Sequence, residues 1–266
     1  MSILNLRKMK LISKASSSKG NSHILIGKDE ALMLDCGVAD LRYAASYNLV
    51  GVLLSHSHKD HILALTRRCF IGNVKVYGNE ETLNECTGIP AFQKQVVEPK
   101  VTYSVGKEWR VLPFIVPHDR LNYAYLIYNT VLDRKIVYIT DAGGLNGIRI
   151  RDVDTYLIEC NYDSRYYEYL DRQAGERVLN DEEFNAMAKY KRLSGGEGHL
   201  SLQQCIEFIK VNASSKTKNI ILVHISADIK DFKKFESEVS SAIAKRIKVT
   251  AINNKIPPNK LQITEL

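Results

Sequence analysis

The 266-residue sequence is 45% hydrophobic and 25% charged, a balance that supports a packed core and excludes a chain too polar to fold. Its formal net charge of +7 and pI of about 9.0 lean toward anionic partners such as nucleotides or nucleic acid without identifying one. No run approaches the roughly 18 apolar residues of a membrane span, and the basic start Met1–Lys10 leads into serines rather than an apolar signal core, so a soluble protein is expected.

In chain order, Ser13–Ser22 comes nearest to low complexity and reads as a loop, with a turn signal at Gly20-Asn21. Short apolar runs rich in β-branched residues read as strands at Ser22–Ile26, Ala31–Leu34 and Leu49–Leu54, with a helical pattern at Ala39–Tyr47. A helix at His61–Arg68, a strand at Val74–Tyr77 and a helix at Glu80–Glu85 follow. Four strands then run over Arg110–Val116, Tyr123–Tyr128, Lys135–Ile139 and Tyr156–Ile158. Helical patterns at Ser164–Asp171, Asp181–Tyr190 and Leu202–Val211 precede a strand at Ile220–Val223, a helix at Lys230–Ala244 and a strand at Ile247–Ala251. In that last helix Phe232, Phe235, Val239 and Ile243 share one face, and Lys245 and Arg246 follow its end.

Strands alternating with helices give an α/β or mixed α+β class. No repeat and no linker divides the chain, so residues 1–266 read as a single domain. The stretch from Asn161 to Gly198 is polar and carries Tyr162, Tyr166, Tyr167, Tyr169 and Tyr190. It reads as a solvated helical excursion, or as a cap whose rings stack on bases for about 1–3 kcal/mol each. The five cysteines, Cys36, Cys69, Cys86, Cys160 and Cys205, form no C-x-x-C pair and cannot all pair with one another, which points to a reducing, cytoplasmic setting.

The chemistry concentrates where the buried run Leu49–Leu54 opens into His56-Ser57-His58-Lys59-Asp60-His61. Three imidazoles and a carboxylate beside a buried strand need partners, and metal supplies them. Positions 56 and 58 alternate onto one side of an extended stretch, while Asp60 and His61 open a helix and turn toward a second point, so one loop serves two metals. His118, Asp141 and His224 each follow a predicted strand. Any one of them alone is more often a plain turn residue; together with the His56–His61 loop they present ligand-type groups at four strand ends, where α/β folds place their sites. With His199, taken up below, the constellation holds every one of the seven histidines except His23.

The H-x-H-x-D-H segment with the later histidine, strand-end aspartate and last histidine resembles the metallo-β-lactamase superfamily from about residue 10 to 250, as do Ser16–Ser22 and Leu34-Asp35-Cys36-Gly37 near the start. The resemblance implies a four-layer αββα sandwich with its site at one edge. It places one metal on His56, His58 and His118, a second on Asp60, His61 and His224, and Asp141 between them. Two divalent ions are therefore expected, zinc by default and manganese as the alternative. Such a pair lowers the pKa of a bridging water, so the nucleophile would be hydroxide rather than a serine or cysteine.

Gly198-His199-Leu200-Ser201 narrows the branch. In RNase Z-like phosphodiesterases a histidine similarly placed helps protonate the leaving group, so His199 joins Asp60 as an expected catalytic residue; a phosphate contact or a structural role at the helix start are its alternatives. The YycJ-like group of nuclease-associated proteins is closer, with a G-H-L-S segment after basic residues, here Lys189, Lys191 and Arg192. That group's acidic-Asn-His-Asp stretch is represented by Glu159-Cys160-Asn161-Tyr162-Asp163, with Tyr162 in the histidine's place. No room exists for the insertion of β-CASP nucleases or for the RNase Z arm between His118 and Asp141.

The leading expectation is a dinuclear phosphodiesterase acting on nucleic acid as a nuclease. The alternative is a cyclic nucleotide phosphodiesterase of the kind phages use against signalling defences; a thioester or lactone hydrolase and a non-enzymatic metal-bound protein rank below. The expected partner is nucleic acid or a nucleotide, not a membrane, and a homodimer is left open.

Overall fold

The computed structural model describes residues 8–67, 72, 74–194, 198–253, 255–257 and 259–266. Residues 1–7, Arg68, Cys69, residues 195–197 and the Arg192 side chain, all within stretches singled out above, lie outside the described set.

Two seven-stranded sheets form among the described residues. The first runs in the order β14 (Gln262–Glu265), β1 (Lys10–Ser17), β2 (Gly20–Ile26), β3 (Ala31–Leu34), β4 (Leu49–Leu53), β5 (Lys75–Gly78) and β6 (Lys94–Val96). The second runs β13 (Lys248–Ala251), β12 (Asn219–Val223), β11 (Thr155–Glu159), β10 (Arg134–Ile139), β9 (Asn122–Asn129), β8 (Trp109–Val116) and β7 (Tyr103–Val105). In each sheet one half is antiparallel, while β3 through β6 and β10 through β13 are parallel.

Side-chain alternation sorts three apolar layers. Ile136 and Tyr138 of β10, Ile221 and Val223 of β12, and Leu32 and Leu34 of β3 fill the space between the sheets with Trp109 and Tyr125. Val137, Ile139, Ile220 and Leu222 face outward and pack against α5 (Leu202–Asn212) and α6 (Phe232–Ala242) through Leu202, Cys205, Phe208, Ile209, Phe235 and Val239. Ala31, Met33 and Val52 face outward from the first sheet onto α1 (Lys59–Ile62) and α2 (Glu80–Glu85) through Ile62 and Leu83. Buried on both faces, the central strands β11 and β12 read as continuous apolar runs, as parallel strands do. The architecture is the αββα sandwich that the resemblance implied. No helix among the described residues is long and apolar enough to cross a membrane.

The structure corrects several local readings. Ser13–Ser22 is a β-hairpin, not a loop: β1 spans most of it and turns into β2 at Gly20. Its serines suit a buried strand because each finds a partner. Ser13 Oγ lies 2.8 Å from His23 Nδ1, Ser16 Oγ accepts from the His224 amide at 2.9 Å, and Ser22 Oγ donates to the Asp35 carbonyl at 3.1 Å. The helix expected over Ala39–Tyr47 is a single 3₁₀ turn, Arg42–Ser46, and the pattern from His61 splits into α1 and a 3₁₀ turn at Leu63–Thr66. The short strands β6, β7 and β14 have too few apolar residues to announce themselves.

The polar stretch after Asn161 forms a helical hairpin, α3 (Ser164–Glu176) and α4 (Asp181–Leu193), both longer than expected. Asn180 and Glu183 form a capping box at the start of α4. At the root of the hairpin the Tyr167 and Tyr190 rings stack 4.5 Å apart, with Tyr162 edge-on to both. The tyrosine standing in for the family's histidine is thus a packing residue that seats the hairpin.

Candidate metal centre

Strand ends converge along one edge of the sandwich. β4 leads to His56–His61, β8 to His118, β10 to Asp141, β12 to His224 and β3 to Asp35, while Glu159 closes β11. Asp35, Asp141 and His224 adopt left-handed backbone conformations with φ of 55°, 51° and 50°. Such a residue costs of order 1 kcal/mol or more and turns the chain sharply after its strand, so conformational strain is held where the polar side chains meet.

One group consists of three imidazoles. His56 Nε2 lies 3.1 Å from His58 Nδ1, which lies 3.4 Å from His118 Nε2. One proton bridges at most one pair of these nitrogens. Donors about 2.0–2.1 Å from a tetrahedral ion stand about 3.3 Å apart, so the set fits a divalent cation. Burial, reinforced by the neighbouring His61, holds His56 well below its usual pKa and therefore neutral, the form that coordinates.

The second group is acidic. Asp60 Oδ2 lies 3.4 Å from His61 Nε2 and 3.7 Å from His224 Nε2; Asp141 offers Oδ2 to His61 Nε2 at 3.0 Å and Oδ1 toward His224 Nε2 at 3.6 Å. Asp141 also converges with His56 and His61, and so stands between the two groups. Burial disfavours charge on His61 and His224, but the carboxylates outweigh it. Asp141, Asp60 and Asp35 hold His61 well above its ordinary value, and Asp141, Asp60 and Glu159 push His224 up to about 10. His224 Nε2 is buried without a hydrogen-bond partner; a divalent cation, displacing the proton that these carboxylates otherwise hold there, would satisfy it. Both donor sets fit divalent ions.

An outer ring of polar groups sets the orientation of the ligands. Asp35, fully buried, accepts from His61 Nδ1 at 2.8 Å, the Ser55 amide at 2.8 Å and the Tyr138 hydroxyl at 2.7 Å. Glu159, also fully buried, accepts through Oε1 from His199 Nδ1 at 2.7 Å and His224 Nδ1 at 3.0 Å, and through Oε2 from the Ala142 amide at 2.9 Å. With Nδ1 committed to Glu159, Nε2 is the other nitrogen of the His199 ring. Burial opposes its charge, but Glu159 and Asp141 prevail and raise its pKa. Its ring stacks on His224 at 5.2 Å.

The structure thus brings His56, His58, Asp60, His61, His118, Asp141, His224 and His199 into one cluster. His23 lies apart, fully buried on Ser13, and burial lowers it to about 4. Sequence reasoning assigned no site role to Asp35, Glu159 or Asn21, whose amide lies 3.0 Å from His61 Nε2. The signal available for the two acids was the one that marked Asp141, an acidic residue ending an apolar run.

Gly37 ties the opening strands to this centre. A Cβ there would stand 1.5 Å from the Asp60 carbonyl oxygen, a backbone collision that only movement of the His-rich loop relieves. Gly37→Ala is expected to lower stability by about 1–3 kcal/mol and to reduce bound metal. Thermal melts and metal analysis check this; unchanged values in both would contradict the close approach.

Comparison with known proteins agrees with the geometry. The family model described as "Beta-lactamase superfamily domain" matches residues 38–225. Exodeoxyribonuclease WalJ from Streptococcus pneumoniae serotype 2 is 27% identical over 233 residues, covering 80% of each chain. Exodeoxyribonuclease YycJ from Bacillus anthracis is 25% identical over 236 residues, covering 80% of this chain and 81% of its own. Among solved structures, the metallo-β-lactamase fold protein YhfI from Bacillus subtilis superposes with a TM-score of 0.69 at 16% identity, covering 97% of this chain and 99% of its own.

Proposed function

This chain belongs to the metallo-β-lactamase superfamily, and from that premise we propose that it is a dinuclear metal-dependent phosphodiesterase that hydrolyses DNA. The observation that carries the reading is Asp141, buried between an all-imidazole group and an acidic group whose donor atoms each converge on a point. Similarity to two exodeoxyribonucleases over four-fifths of the chain supports DNA as the substrate.

His56, His58 and His118 would hold one ion, Asp60, His61 and His224 the other, with Asp141 shared. The imidazoles suit zinc, and the carboxylates also admit manganese. Bound there, the ions would supply Lewis acidity and a water of lowered pKa. The chain's own groups do the rest. Glu159 and Asp35 fix the tautomers of His224 and His61, so that Nε2 of each faces the centre. Glu159 also favours the charged form of His199 and orients the ring, so that Nε2 can donate a proton to the departing sugar oxygen. At the hairpin root, Lys189 Nζ is ion-paired with Asp228 and lies 3.5 Å from Ser226 Oγ, two residues beyond His224, and would meet a phosphate backbone approaching the centre by exchanging that carboxylate for phosphate. The net charge of +7 favours the encounter.

The purified protein, loaded with zinc or manganese, would be incubated in parallel with end-labelled single- and double-stranded DNA and with cyclic mononucleotides. Cleavage of DNA with the cyclic nucleotides left intact is expected. Hydrolysis of cyclic nucleotides alone would move the same chemistry to a small substrate, and cleavage of neither would overturn both readings.

A further inference from the structure

We propose that Asp119 is a positioning residue for the first metal group, setting the tautomer and orientation of His58; this rests on the dinuclear reading above. Each imidazole of that group has one nitrogen turned inward and one outward, and each outward nitrogen has a partner. His56 Nδ1 lies 3.0 Å from Ser55 Oγ, and His118 Nδ1 lies 3.2 Å from the Gly198 carbonyl. His58 is turned the other way: Nδ1 points inward, and Nε2 meets Asp119 Oδ2 at 3.3 Å.

His58 needs this help more than its companions. Its side chain is 35% exposed, against 4% for His118, so packing alone does not select one ring orientation. It is the N-cap residue of α1, yet its side chain makes no capping hydrogen bond. A carboxylate at this ion-pair distance favours the proton on Nε2 and so leaves the lone pair on Nδ1, the atom that faces the other two rings. Asp119 Oδ1 also lies 3.1 Å from His118 Nε2, the inward nitrogen of that ring, so one carboxylate lies against both rings. It follows His118 directly in Val116-Pro117-His118-Asp119, and the proline helps end β8 where both side chains must turn to the same place. An incidental surface pair would leave metal binding unchanged, which separates the two explanations.

The test uses the full chain with Asp119→Ala, Asp119→Asn, and Asp119→Ala combined with His58→Ala. Metal stoichiometry and affinity would be measured by competition with a chromogenic chelator, alongside the visible spectrum of the cobalt-loaded proteins. With Asp119→Ala, one of two metal equivalents is expected to weaken about 10–100-fold and the cobalt bands to shift. Asp119→Asn should stay near wild type, because its amide oxygen can still face His58 Nε2 and favour the proton there. In the His58→Ala background, Asp119→Ala should add no further loss. Two tightly held equivalents and an unchanged spectrum in Asp119→Ala would overturn the proposal, as would an equal loss in Asp119→Asn. A wild-type protein that binds no divalent ion would overturn both this and the dinuclear reading. One that binds two ions without cleaving DNA would overturn only the substrate, since the Asp119 result is read from the metal.

Discussion

Asp141→Asn is expected to lower phosphodiester hydrolysis on the order of 10³-fold or more while the fold persists. The substitution keeps the shape, and asparagine tolerates the left-handed backbone at φ 51°, so a loss would report the missing charge rather than a distorted turn. That charge faces His61 at 3.0 Å and His224 at 3.6 Å and stands between both donor groups. Removing a shared anionic ligand forfeits several kcal/mol of charge stabilisation and alignment, and each 1.4 kcal/mol is about tenfold in rate. Rates, bound metal and the thermal melt of the variant check this together. Full activity in Asp141→Asn would refute a shared-ligand role.

His199→Ala should separate proton delivery from metal binding. Its Nδ1 is held by Glu159 at 2.7 Å; Asp141, Glu159, His199 and His224 also form a group that could hold an ion, but the two ligand sets assigned above are filled without His199. Turnover on DNA is expected to fall about 10²–10³-fold with metal content unchanged, the range for a positioned general acid. A p-nitrophenyl phosphodiester, whose leaving group departs without a proton, should lose far less. Equal losses on both substrates, or release of metal, would place His199 among the ligands instead.

Much of this centre is legible in the sequence because its ligands sit at the ends of apolar runs. His56 to His61 after β4, and Asp141 after β10, stand out because a buried strand hands directly into ionisable groups. The outer ring is less legible for a physical reason: its partners meet only after folding. Tyr138 reaches Asp35 across 103 positions, and Ser16 meets the His224 amide across 208, so no local pattern marks either pair. Composition also misled where polar residues are satisfied in the core. The serines of β1 read as a loop, yet they are buried and hydrogen-bonded beneath the site. The 3₁₀ turn at Arg42–Ser46 was lost because a period-3.6 pattern does not distinguish one tight turn from a longer helix.

Titrating the chelator-stripped protein with zinc or manganese, while following both bound metal and cleavage of end-labelled DNA, tests whether the chain is a two-ion phosphodiester hydrolase. No cleavage is expected without metal, and activity should rise to a plateau at two equivalents per chain. Cleavage that persists without metal, or a fully loaded protein that cuts no phosphodiester, would contradict it.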